Sequence, residues 1–172
     1  MSRALPSQRM ALALLALLLV LGSLSTTTLA EDAPRQVEWE ELMPEGWKPK
    51  MPDFSSFFHD PTTPAAAQNE DAPLVEALDD TLISIEGWLV PLDWGSDDIT
   101  EFLFVPWFGA CIHVPPPPPN QIIRVTLAEG VPEREMFEPQ VVTGRLRTEH
   151  SESELALAGY RIRGAETRRL EY

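Results

Sequence analysis

Residues 83–91 read Ile-Ser-Ile-Glu-Gly-Trp-Leu-Val-Pro, and their pattern predicts a β-strand. Ile83, Ile85 and Leu89 alternate with a serine, a glutamate and a tryptophan, which is the period of a strand with one buried face. The strand is expected to end at Pro91, because proline cannot donate a hydrogen bond to a neighbouring strand.

Four further runs also predict strands. Residues 102–105 are apolar on both faces, which indicates a strand in the middle of the fold. Residues 123–127, 142–146 and 160–163 alternate apolar residues with arginine or threonine. With about five strands and no amphipathic helix, the fold class is predicted as all-β, a small antiparallel OB-like barrel, because closure removes exposed edges. Residues 129–139 are too short for a substantial helix, so a partly open barrel or small sandwich is the alternative.

Residues 1–30 are predicted to be a signal peptide. Arg3 and Arg9 precede an apolar run over residues 10–21, and a Thr-Leu-Ala triplet ends at Ala30. An apolar run of about twelve residues is too short to span a hydrocarbon core of about 30 Å. We therefore expect Sec-type export, cleavage near Ala30 and a periplasmic location without direct membrane insertion. An uncleaved N-terminal anchor is the alternative.

The rest of the chain divides into an arm and a domain. Residues 31–78 are predicted to form an extended, Pro-rich arm, and residues 79–172 the small β-barrel domain. The arm carries apolar side chains that could cover a domain: Trp39, Trp47, Phe54, Phe57 and Phe58. An arm that packs along its own domain is favoured over a peptide that binds a partner.

Charge and missing motifs exclude several function classes. The chain has 13 Lys and Arg against 27 Asp and Glu, a net charge of −14, which argues against nucleic acid or an anionic membrane as partner. One cysteine excludes an intramolecular disulfide framework. The sequence has no Gly-rich phosphate loop, Gly-x-Ser-x-Gly, His-Glu-x-x-His or Cys-x-x-Cys, so hydrolase, kinase and thioredoxin-type chemistry lack support.

Residues 106–121 are the most informative segment, reading Pro-Trp-Phe-Gly-Ala-Cys-Ile-His-Val, five prolines, then Asn-Gln. In an extended chain Cys111 and His113 point to the same side. A thiolate and an imidazole suit Zn²⁺ or copper, and zinc is favoured over copper here. The same pair would suit an activated thiol, and a buried cysteine can also be a simple core residue.

Further metal ligands are weaker candidates. His59 in the arm and His150 near the fourth predicted strand are the other histidines. The nearest carboxylates in sequence are Asp93, Asp97, Asp98 and Glu101. The five prolines are expected to form a polyproline II rod of about 15 Å, after which Asn120 and Gln121 would return amide groups to the site.

Three segments, residues 87–93, 102–106 and 108–121, resemble the bacterial envelope family catalogued as domain of unknown function 3299. The resemblance continues through residues 142–146 and 159–160 and so covers residues 75–172. Some family members are encoded beside ABC transporter components, in places under zinc-responsive control. The resemblance thus implies a periplasmic accessory to metal handling or to such a transporter. It transfers no catalytic residues, and Cys111 and His113 are the matched polar positions.

Three functional hypotheses follow. The leading one is a non-enzymatic periplasmic accessory protein with Cys111 and His113 at a transition-metal site, working with an ABC-type transporter. The second is a structural adaptor without metal that docks on another envelope membrane component through its arm and polyproline segment. The third, a thiol enzyme, requires an exposed Cys111 with a low pKa.

Overall fold

The computed structural model describes residues 33–49, 68–93, 98–111 and 116–170. These parts of the chain contain six strands: β1 Arg35–Gln36, β2 Thr81–Pro91, β3 Asp98–Val105, β4 Ile123–Pro132, β5 Gln140–Glu152 and β6 Leu157–Arg169. Their helices are single 3-10 turns at Trp39–Leu42, Glu76–Leu78, Pro119–Gln121 and Glu133–Glu135. No helix within these ranges is long and apolar enough to cross a membrane.

Five of the strands bond to one another in a ring. The order is β2-β3-β4-β6-β5, and β5 pairs back onto β2. The β4–β6 pair is parallel and the other four pairs of the ring are antiparallel. The ring is an OB-like barrel, as the strand pattern predicted. Register shifts interrupt the pairing of β3 with β4, of β4 with β6 and of β5 with β6, so the barrel is partly open.

Strand β2 closes the ring by changing partners along its length. Thr81–Gly87 pairs with β5, and Trp88–Pro91 pairs with β3. A Cβ atom at Gly87 would lie 2.7 Å from the carbonyl oxygen of Val105, so this junction admits only glycine without a shift of the backbone. Strand β1, which the sequence pattern did not predict, lies parallel to β2 with Arg35 opposite Ile83.

The barrel interior is filled by the residues whose alternation predicted the strands. Ile83, Ile85, Phe104 and Ile162 are fully buried there, together with Tyr160, the largest fully buried side chain among the described residues. These side chains belong to the larger of the two apolar clusters of the fold, whose burial stabilises the barrel.

A second apolar cluster lies on the opposite side of the barrel wall. Leu103 and Val105 alternate with the inward-facing Phe102 and Phe104 and are nevertheless fully buried. They are covered by residues from outside the ring, chiefly Ala110, Ile122 and Ala156. This second layer is why residues 102–105 are apolar on both faces.

The described parts of the predicted arm pack on the barrel. Val37, Trp39 and Leu42 join the interior cluster, and the indole Nε1 of Trp39 donates to the carbonyl of Glu86 over 2.6 Å. Leu78, near the end of the arm, is buried as well. Residues 1–30 and 50–67 lie outside the described residues, and the predicted division at residue 78 stays a prediction.

Candidate functional site

The informative segment begins as a turn on the outside of β3. After Val105 the chain runs through residues 106–111, where Gly109 has φ 81° and Cys111 has φ 65°. The left-handed region is open to glycine, but it costs a residue with a Cβ atom about 1–2 kcal/mol. Cys111 is therefore held in an unfavourable backbone conformation, which the packing around it must offset.

Cys111 packs against the outer apolar cluster and not inside the barrel. Its side chain is half-buried beside residues that include Val105 and Ala110. Burial raises the pKa of the Cys111 thiol to about 12. At neutral pH the thiol keeps its proton, whereas both a nucleophile and a metal ligand must be a thiolate.

Within the described residues, none of the other predicted metal ligands is found beside Cys111. His113, His59 and Asp97 lie outside them, and His150 is exposed on β5. Glu101 is paired with the guanidinium of Arg124 over 2.8 Å. Within the described ranges, no three His, Cys, Asp or Glu side chains are arranged to hold a metal ion. The zinc or copper site stays a prediction.

Asn120 and Gln121 hold the arm, so the expectation that they return to the cysteine is wrong. Both side chains are buried. The Nδ2 of Asn120 donates to the carbonyl of Pro73 over 3.1 Å, and the Nε2 of Gln121 donates to the carbonyl of Trp39 over 2.8 Å. The two residues are the last two of the 3-10 turn Pro119–Gln121, and its backbone conformation directs their side-chain amides towards the arm.

The described prolines are also committed to internal contacts. Pro118 has polyproline II angles, φ −61° and ψ 154°, as predicted, but Pro119 already begins the 3-10 turn. Pro117 is buried, and its carbonyl accepts a hydrogen bond from Nε2 of Gln68 over 2.8 Å. The same amide group of Gln68 bonds to both backbone groups of Leu157. Proline segment, arm and β6 are thus tied together.

Aromatic side chains from three segments form a partly exposed surface, here called the aromatic patch (Trp88, Phe108 and Phe137). Phe108 is 55% exposed and Phe137 62%, and the neighbouring Trp107 in the chain is 45% exposed. The ring of Phe108 lies 5.2 Å from that of Trp88 and 6.4 Å from that of Phe137. A cavity of about 50 Å³ opens among them, bounded also by Leu89, Val90, Gly109 and Met136.

Sequence reasoning missed this patch. Phe108 is exposed there, although the neighbouring Ala110 is fully buried. The available signal was a Trp-Phe pair between Pro106 and Gly109, where a turn presents side chains outward.

Comparison with known proteins identifies relatives but no activity. The model of a family described as proteins of unknown function, DUF3299, matches residues 39–169. A crystal structure of a DUF3299 family protein from Pseudomonas aeruginosa PAO1 is 41% identical, covers 82% of this chain and 99% of that chain, and superposes with a TM-score of 0.71. No curated protein matches the sequence. The family match starts at Trp39 and so includes much of the predicted arm.

Proposed function

Because the chain belongs to the DUF3299 family, whose function is unknown, we propose a role for it from its own residues: a periplasmic, non-enzymatic accessory protein that binds a membrane component of the bacterial envelope. The periplasmic part of this proposal is supported by the signal-like residues 1–30. An ABC-type transporter is the partner that the family resemblance favours.

The aromatic patch is the observation that carries this proposal. Soluble proteins rarely expose large apolar side chains side by side, and such patches usually bind other proteins. Aromatic residues are enriched at the centres of interfaces, where one side chain fills a pocket on the partner. The cavity between Trp88, Phe108 and Phe137 has the size to accept one small aliphatic side chain.

Two further observations support an adaptor over an enzyme or a peptide-like arm. The thiol of Cys111 has a raised pKa, the opposite of what a thiol enzyme requires. The arm, at Trp39 and Pro73, and Pro117 in the proline segment bond to the protein itself. We therefore propose the aromatic patch as the docking surface of the adaptor.

Crosslinking in intact cells tests the adaptor. We expect the wild-type protein to be crosslinked to one envelope membrane protein, and Phe108→Ser or Phe137→Ser to reduce that product at least tenfold. Phe137→Leu, which keeps an apolar side chain, should retain it. Arg134→Ser is the matched control, because the Arg134 side chain is 79% exposed on the same loop as Phe137. Equal crosslinking of all variants would remove the patch from the interface.

Transition-metal handling is the second candidate, with zinc favoured over copper. It is supported by Cys111, which is half-buried and immediately precedes the segment that carries His113. A bound metal would replace the thiol proton, so a raised pKa would weaken binding without preventing it. Elemental analysis of protein purified from the periplasm is the test. One metal per chain that is lost in Cys111→Ala/His113→Ala would support the site, and no metal in the wild type would contradict it.

A further inference from the structure

The barrel has a seam where β4 and β6 separate. Their parallel pairing starts at Ile123 opposite Tyr160 and ends at Leu127 opposite Ala165. Beyond this point β6 continues along β5, with Glu166–Arg169 opposite 140–143. On its other side, against β3, β4 has a bulge over residues 127–130, between Thr126 opposite Glu101 and Val131 opposite Ile99. The two strands therefore diverge, with four residues of β6 paired on one side only among the described residues.

The open edge of β6 presents backbone groups to this seam. The N–H of Tyr160 donates to Ile122 on the β4 side, and the N–H of Leu170 donates to Pro139 on the β5 side. Gly164 is skipped in the register with β4, so the residues after it that face β4 are Ala165, Thr167 and Arg169. Successive residues of a strand direct their backbone N–H and C=O groups to alternate sides. Counting forward from Tyr160, with Gly164 skipped, and counting back from Leu170 both place the backbone groups of Thr167 and Arg169 on the β4 side.

A cavity of about 500 Å³ fills the space between the diverging strands. One wall is Ala128–Pro132 and the other is Ala165–Arg169. Its floor includes Gln140, whose amide is 1% exposed and is held by the carbonyl of Glu135 and the hydroxyl of Thr167. The volume lies within the range of sites that bind ligands.

We propose that this seam accepts an extended segment of a partner protein as an added strand between β4 and β6. The main-chain donors and acceptors of Thr167 and Arg169 match those of a strand, and an unpaired strand edge is a template for such pairing. Four residues of β6 offer an edge of about 13 Å, enough for a four-residue strand. Acidic and basic side chains both line the rim of the cavity, Glu129 and Glu166 with Arg168 and Arg169, so the segment that this seam fits is one without a large net charge.

This proposal is independent of the adaptor function. The seam is defined by strand register and the aromatic patch by side-chain exposure. Residues 133–139 contribute to both, because Glu135 lines the seam and Phe137 belongs to the patch. Variants in one surface can therefore be compared with variants in the other.

Hydrogen exchange of the purified protein is the first test. We expect the amides of Thr167 and Arg169 to exchange at least tenfold faster than those of Arg168 and Leu170, which face β5. Slow exchange at all four would mean that the edge is already paired within the chain, and it would overturn the proposal. Slow exchange of Thr167 and Arg169 that becomes fast on dilution would show that a second copy of the chain pairs with this edge. That result would overturn the proposal equally.

Peptide titration followed by NMR is the second test, with acetyl-Thr-Val-Thr-Val-Thr-amide as the probe. We expect saturable shifts at Thr167, Arg169 and Gly130, and at least tenfold weaker binding when the peptide is N-methylated on alternate residues. Equal binding of the N-methylated peptide, or shifts confined to Phe108 and Phe137, would overturn the proposal.

Protein variants separate backbone pairing from side-chain effects. Thr167→Pro removes the N–H that faces the seam and should weaken peptide binding at least tenfold, whereas Thr167→Ser keeps both that N–H and the hydroxyl that holds Gln140 and should not show this loss. Ala128→Trp fills the seam from an exposed position and should also abolish binding, which keeps the test decisive if Thr167→Pro does not fold. Unchanged binding by Ala128→Trp would contradict the site.

Discussion

The phenolic oxygen of Tyr160 lies 2.9 Å from the backbone carbonyl of Leu42, to which it donates a hydrogen bond. The same oxygen accepts a hydrogen bond from the N–H of Val75 over 2.7 Å. One fully buried side chain of β6 therefore binds both described parts of the arm. The arm is fixed by buried polar contacts as well as by its apolar residues.

Replacing Tyr160 with phenylalanine tests this connection. Tyr160→Phe leaves a buried carbonyl and a part-buried N–H without their partner, so we expect the free energy of unfolding to fall by about 1–3 kcal/mol. Urea denaturation monitored by tryptophan fluorescence measures it. The exposed Phe137→Leu should stay within about 0.5 kcal/mol of the wild type and serves as the control. Equal stability of Tyr160→Phe and wild type would mean that the hydroxyl does not hold the arm.

Alkaline pH should weaken the fold through the same residue. Desolvation raises the pKa of Tyr160 from 10.0 to about 12. Above pH 10 the unfolded chain loses this proton while the folded chain keeps it, so the free energy of unfolding falls as pH rises from 10 to 12. Urea midpoints at pH 8 and pH 11 should differ less in Tyr160→Phe than in the wild type. An identical pH dependence in the two proteins would show that Tyr160 contributes nothing to it.

The thiol of Cys111 should react slowly in the folded protein. Its raised pKa leaves almost no thiolate at neutral pH, and the outer cluster covers part of the sulfur. We expect iodoacetamide to label the native protein at least tenfold more slowly than the urea-unfolded protein, where the pKa returns towards 9.0. Faster labelling of the native protein would instead indicate an activated thiol and revive the enzyme hypothesis.

A methyl group at Gly144 should disrupt the core. A Cβ atom there would overlap Cγ2 of Ile162, so Gly144→Ala is expected to cost roughly 1–3 kcal/mol of stability by overpacking. Ile162→Ala removes the overlapping atom, and a double-mutant cycle should show a smaller cost in that background. Gly164→Ala, where a Cβ meets open space, is the control and should cost the same in both backgrounds. Additive costs for Gly144→Ala and Ile162→Ala would contradict the proposed overlap.

The strands of the barrel could be predicted from sequence because each strand is indicated by the pattern of residues close together in the chain. The alternation of Ile83, Ile85 and Leu89 ends at Pro91, where β2 ends, and the first two are fully buried. The doubly apolar residues 102–105 are buried on both faces, as expected, because the outer cluster covers the side that usually faces water. Period and length decide such elements before any long-range contact forms.

The contacts that fix the arm and the candidate site could not be predicted from the spacing of residues in the sequence. The bond from Gln121 to Trp39 joins residues 82 positions apart, and no periodicity in a proline-rich segment signals it. Asn120 and Gln121 looked like site residues because they follow the prolines, yet a single 3-10 turn redirects both amides. Phe108 is apolar by type, but the turn after Pro106 leaves it outside. Side-chain direction in turns is set by backbone angles rather than by composition.

The bond between Tyr160 and Leu42 also bears on the order of folding, since it joins residues 118 positions apart. Proteins dominated by such distant pairings fold in milliseconds to seconds, because loop closure must precede the contacts that reward it. The carbonyls of Leu42 and Trp39 find their partners only after β6 and the 3-10 turn at Pro119–Gln121 exist. The part of the described chain that is synthesised first therefore completes its buried polar contacts last, although its pairing with β2 needs no residue beyond Glu86. Until it docks, Val37, Trp39 and Leu42 remain exposed to whatever protein meets the chain on its way.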